Sequence, residues 1–109
     1  MPLLIAPHTL QVYRPQNTTS GQFVGKPTYV LAAITKGLLE PKAAGELFRV
    51  WGVEVTHGAE ALLPAGTNIE PDYRLRRGNT YYRVVGVMPH NGTIQASHTR
   101  CLLERLDNV

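Results

Sequence analysis

The sequence predicts an all-β fold, a small β-barrel or sandwich of about six to seven short strands with long loops and room for one short helix. Three observations carry that prediction. Residues Tyr81, Arg83, Val85 and Val87 alternate with Tyr82, Val84 and Gly86, the period-2 pattern of a strand with two unlike faces. Runs of β-type residues recur at intervals of roughly ten residues, separated by turn residues. Helical spacing of apolar side chains competes in one place, Pro41 to Trp51.

His8 to Arg14 reads as a first strand, with Leu10 and Val12 on one face and Thr9, Gln11 and Tyr13 on the other, and Pro15 ends it. The Gly, Asn, Thr and Ser content of residues 16–27 predicts a long loop or hairpin tip. Thr28 to Thr35 follows as a mostly apolar strand that Gly37 to Pro41 extends or bends. Residues 41–55 form the second long connection. Within it Ala43, Leu47, Val50 and Trp51 make an apolar stripe suited to a short helix or ordered loop, although Gly45 weakens a helix by about 1 kcal/mol relative to Ala. Val53 to Thr56, Ala61 to Pro64, Arg74 to Arg76, Tyr81 to Val87 and Ala96 to Leu103 supply the other strands. Turns are expected around Gly66 and Gly78, where glycine takes the positive φ of a tight reversal, and Asn91-Gly92 is a two-residue hairpin signal.

A chain of 109 residues with 43% apolar and 17% charged residues is one folded domain, less charged than the roughly 25% of an average globular protein. No apolar run of about 18 residues occurs, so no helical membrane span is expected. The opening MPLLIA is too short for a signal-peptide core and has no basic residue before it, which points to an intracellular origin. Cys101 is the only cysteine; it cannot form an internal disulfide, and its strand neighbours Thr99 and Leu103 mark it as core. Charge is unevenly spread. Residues 1–39 carry +3, residues 40–72 carry −4 and the remainder +4, so oppositely charged blocks can pair within one subunit or between copies.

Chemistry is sparse. His8, His57, His90 and His98 form no HxH or HxxxH pair, although His90 and His98 can meet across the Asn91-Gly92 hairpin, and no metal or cofactor is expected. The glycines form no GxGxxG or GxxxxGK pattern, and no nucleophile-and-base set is evident, so an enzyme is not expected. Arg74, Arg76, Arg77 and Arg83 with Tyr73, Tyr81 and Tyr82 form a basic, aromatic patch that guanidinium chemistry suits to phosphates or to an acidic neighbouring subunit. A small nucleic-acid-binding barrel is therefore an alternative function.

Read in order, several segments resemble the head-closure, or head-tail connector, proteins of tailed bacteriophages. They are the His8 to Arg14 strand, the glycines at 21 and 25, and Gly37-Leu38-Leu39-Glu40-Pro41. Gly45-Glu46-Leu47 through Trp51-Gly52, Val55-Thr56-His57, then Leu63-Pro64-Ala65-Gly66-Thr67-Asn68-Ile69-Glu70-Pro71 and Gly78 to Val87, complete the series. Pro71-Asp72-Tyr73 stands where those proteins often carry Gly-Asp. The resemblance implies a small β-barrel with long extensions and a homo-oligomeric ring of about six or twelve copies at the neck of the virion. It also implies synthesis in the host cytoplasm, a portal or adaptor ring above, and a tail-terminator or tail-tube protein below. Packaged DNA, held non-specifically, would occupy the channel. A tail-terminator or minor tail role lies in the same neighbourhood. On this resemblance the element that gates the channel is expected at Ala43, Gly45, Glu46, Leu47, Phe48, Arg49 and Trp51, and a basic patch facing a neighbour or DNA at Arg74, Arg76, Arg77 and Arg83.

Overall fold

The computed structural model describes residues 8–16, 28–90 and 98–107. They form six strands and one helix: β1 (His8–Gln16), β2 (Thr28–Pro41), α1 (Ala44–Trp51), β3 (Gly58–Pro64), β4 (Arg74–Arg77), β5 (Thr80–His90) and β6 (His98–Leu106). All neighbours are antiparallel, and the order β1-β2-β3-β6-β5-β4 closes on itself as a barrel. The loop expected at 16–27 and the Asn91-Gly92 turn lie outside the described residues, apart from Gln16 at the end of β1.

Alternation fills the interior. Leu10 and Val12 of β1, Leu39 of β2, Ala59, Ala61 and Leu63 of β3, Leu75 of β4, Tyr82 and Val84 of β5, and Cys101 and Leu103 of β6 point into one buried cluster. Ile69 joins them from the β3–β4 connection. Both expected turns form, with Gly66 at φ 81° and Gly78 at φ 60°. Asp72, in the segment that differs from the head-closure pattern, also takes a positive φ of 76°, and its N–H donates to the Val84 carbonyl at 2.8 Å.

β2 is a single strand of 14 residues because Gly37 lets it bend. Up to Gly37 it pairs with β1, and from Leu38 it pairs with β3. A Cβ at Gly37 would lie 2.8 Å from the Leu62 carbonyl oxygen and 2.9 Å from Leu10 Cδ1, so only glycine fits this corner. His8 holds the same corner, its Nδ1 accepting the Leu39 N–H at 3.0 Å.

Three expectations need correction. Pro15 does not end the first strand: β1 runs on to Gln16, with Pro15 opposite Tyr29 in the ladder to β2. Simple alternation puts Val87 on the face of Tyr81 and Arg83, yet it packs on the interior cluster. The cause is a β-bulge between Val84 and Gly86, which inserts Val85 and reverses the phase. Val53 to Thr56 is not a strand: it has no ladder partner, its Val55 is pinned under α1, and His57 at φ 55° turns the chain into β3.

Candidate functional site

Three surfaces of the barrel stand out, and the first two hold the expected basic patch and gating element. The first is the outer face of β1, β4 and β5. Because Leu75, Tyr82 and Val84 point inward, their neighbours form lateral rows outside: Tyr13, Arg74, Arg83 and Glu104 in one, and Gln11, Arg76 and Tyr81 in the next. The structure thus brings Arg74, Arg76 and Arg83 together, with exposed Arg77 at the β4 end. It also occupies most of them. Arg83 reaches Glu104 at 3.1 Å and Asp72 at 3.6 Å. The Arg74 guanidinium lies 3.9 Å from the Tyr29 ring centre, and Arg76 lies 5.1 Å from that of Tyr81 while its Nε donates to the Gly78 carbonyl at 2.7 Å. A side-chain hydrogen bond with Tyr13, and the nearby Tyr81, push the already high pKa of Arg76 further up. Of the tyrosines expected in this patch, Tyr82 instead points into the core, Tyr73 packs against it and Arg76 lies over Tyr81, which leaves little open ring surface for stacking bases.

The second surface is α1. Eight residues are too few for an autonomous helix, so packing must hold it. Gly52 ends it at φ 72°, its N–H donating to the Phe48 carbonyl at 2.7 Å. Leu47 is buried against Val55 and Leu102, over Gly58, where a Cβ would collide with Leu47 and Val55. The Trp51 ring lies over Gly86, 3.3 Å from where a Cβ would sit. The buried stripe is therefore Leu47 with Trp51, one turn apart, whereas Ala43 and Val50, which the sequence pattern included, are exposed. Of the expected gating residues, Leu47 and Trp51 anchor the helix, while Ala43, Gly45, Glu46, Phe48 and Arg49 face outward.

The anchor converges on Glu60, whose side chain is 9% exposed. Its Oε2 accepts the Trp51 indole N–H at 2.8 Å and an Arg100 N–H at 2.7 Å, and its Oε1 accepts from Arg100 at 2.9 Å. Burial alone pushes this carboxyl up, but hydrogen bonds from Arg100 and Trp51, with the charges of Arg100 and Lys42, outweigh it and hold Glu60 below its ordinary value. Sequence reasoning missed this node, since nothing local marks Glu60, Trp51 and Arg100 as partners. Beside it a shallow groove of about 380 Å³ passes Leu38, Glu40, Lys42, Met88 and His98. Among the described residues no group of three or more His, Cys, Asp and Glu could hold a metal, and no helix is long and apolar enough to cross a membrane. His90 and His98 are register partners at the ends of β5 and β6.

The third surface is a ribbon. β1 pairs with β4 only over Gln11 to Tyr13, so Arg14 to Gln16 pair with β2 alone, and β2 before Leu38 has no second neighbour among the described residues. This open edge carries Leu31 at 49% and Ile34 at 61% exposure, with Ala32 and Ala33 also exposed. An uncovered apolar edge is a template for pairing with another chain.

No protein-family profile matches the chain, and no curated protein does. Among solved structures it is similar to the solution structure of protein SF1141 from Shigella flexneri 2a, with a TM-score of 0.74 at 10% identity over 100% of both chains. At that identity the likeness is one of fold alone, over the full length of both chains.

Proposed function

We propose that this chain is a structural ring subunit of a tailed-phage head-tail connector. It stacks below the portal or adaptor ring, closes the DNA-filled head and presents a surface to the tail terminator or tail tube. The observation that carries this reading is the ribbon. Among the described residues β2 before Leu38 pairs with β1 alone and carries the exposed Leu31 and Ile34, and copies of the chain in a ring of about six or twelve would cover that apolar edge. The order of motifs that resembles head-closure proteins supplies the setting. The work is done by fit rather than by turnover, in the neck of the virion, with packaged DNA passing the channel non-specifically.

Imaging of the native particle tests this directly. A ring of this chain is expected between portal and tail, and particles lacking it should fill with DNA and then lose it. DNA-filled, infectious particles without the chain would refute the assignment; a ring at the tail end of the tube would move it to the tail-terminator role. The nucleic-acid-binding alternative makes a different prediction. A dedicated binder loses affinity steeply with salt, whereas this free subunit, with Arg83 paired to acids, Arg76 over Tyr81, and Tyr82 in the core, should bind DNA weakly at all salt concentrations.

A further inference from the structure

Among the described residues the exposed large apolar side chains are Leu31, Ile34, Phe48, Val50, Val53 and Met88. All but Met88 fall in two places: the open edge of β2, and α1 with the segment that follows it. Around the closed order β1-β2-β3-β6-β5-β4, strand β6 stands opposite β1. α1 packs on the outward Leu102 of β6, between Gly58 of β3 and Gly86 of β5, so the two patches lie on opposite sides of the barrel.

Their charges are complementary. Arg14 and Lys36 flank the ribbon patch, and no acidic residue occurs before Glu40. Lys36 shares the outward face of Ile34, its Nζ 2.6 Å from Thr9 Oγ1. On the other side a groove of about 450 Å³ runs past Ala44, Gly45, Phe48, Glu54 and Thr56. Glu54 and nearby Glu46 make no ion pair within the chain among the described residues, and Arg49 is the one cation on this helix.

We propose that the β2 edge of one copy, led by Leu31, Ile34 and Lys36, seats on the α1 flank of the next copy, at Phe48, Val50, Val53 and Glu54. The proposal rests on the ring assignment and specifies its contact. Unlike patches on opposite sides make a head-to-tail interface, which closes as a ring when the rotation per subunit permits.

The test uses the full chain in sedimentation velocity at low salt, with I34E and F48E variants. Both positions are exposed, so folding, checked by circular dichroism, should survive. Each variant alone should self-associate at least about tenfold more weakly than wild type, as for loss of a central contact. Mixed in equal amounts they should form a one-to-one heterodimer, because one retains an intact ribbon and the other an intact helix flank. M88E should associate like wild type. If wild type assembles and both variants assemble equally well, or if the mixture gives no heterodimer, the docking is overturned while the ring assignment stands. Wild type that stays monomeric up to roughly millimolar concentration also overturns the docking; imaging of the particle then decides the ring assignment separately.

Discussion

Replacing Glu60 by Gln keeps the size of the side chain and one carbonyl oxygen for the Trp51 indole, but it removes the charge that Arg100 faces at 2.7 and 2.9 Å. The amide then turns a donor toward a guanidinium that has only donors. A hydrogen bond to a charged partner contributes about 1.5–3 kcal/mol, and the 34% exposure of Arg100 allows water to replace part of it, so a loss of about 1.5–2 kcal/mol is expected. Glu60→Ala should cost more, about 2–4 kcal/mol, because Trp51 also loses its acceptor and α1 its tether. The dependence on pH identifies the cause. The folded-state pKa of Glu60 lies below the ordinary 4.5, so its contribution is present above that value and disappears as pH falls through the folded pKa. Urea unfolding of wild type and E60Q should therefore differ in midpoint but not in slope at about pH 7, and the difference should shrink as pH falls below 4.5. As a control, Arg83→Ala breaks exposed ion pairs with Asp72 and Glu104 and should cost under about 1 kcal/mol. A gap between wild type and E60Q that persists undiminished at low pH would show that packing, and not the charge pair, sets the stability of this node.

Two further outcomes follow from the barrel. Gly37→Ala forces a Cβ to within 2.8 Å of the Leu62 carbonyl and of Leu63 Cδ2, and should destabilise by about 1–3 kcal/mol in a denaturant midpoint; Gly45→Ala, with nothing within 4 Å, should stabilise by up to about 1 kcal/mol, and equal effects of the two would refute the tight corner. Burial pushes the Cys101 thiol from 9.0 to about 12, so its contribution to stability is complete below pH 9.0 and lost as pH rises toward about 12; Cys101→Ala should flatten that alkaline slope, and rapid labelling of native Cys101 at neutral pH would contradict the burial.

The barrel was legible where a local rule decides the outcome. Leu10 and Val12 needed only alternation, Gly66 and Gly78 only their freedom at positive φ, and Thr99, Cys101 and Leu103 only their spacing. What escaped depended on pairing. The Val85 bulge arises because β5 must match β6 on both sides of Gly86, and Gly86 must stay bare for Trp51, and neither partner is near in sequence. The helix stripe was misassigned at Val50 for the same reason. An amphipathic pattern names several apolar positions, and only the target surface, here Leu102 between two glycines, selects Leu47 and Trp51 from among them.

The charge blocks show how far sequence reaches toward the functional surface. Opposite blocks were expected to pair either within a subunit or between copies, and the fold divides the residues between those options. Glu60 takes Arg100 and Asp72 takes Arg83, so two of the six acids of the middle block are paired inside one chain. Arg76 is engaged by Gly78, Tyr13 and Tyr81, which makes it a poor contributor to contact between copies. The acids left over include Glu46 and Glu54 beside α1, and the cations left over include Arg14 and Lys36 on the ribbon. Glu46 and Glu54 thus stand beside the exposed Phe48, Val50 and Val53, and Arg14 and Lys36 beside the exposed Leu31 and Ile34. If assembly is head to tail, Lys36→Glu should impair it and a partner copy carrying Glu54→Lys should restore it, whereas reversal at Arg76 should change little. Impairment at Arg76 with indifference at Lys36 would place the contact on the arginine face of β4 instead.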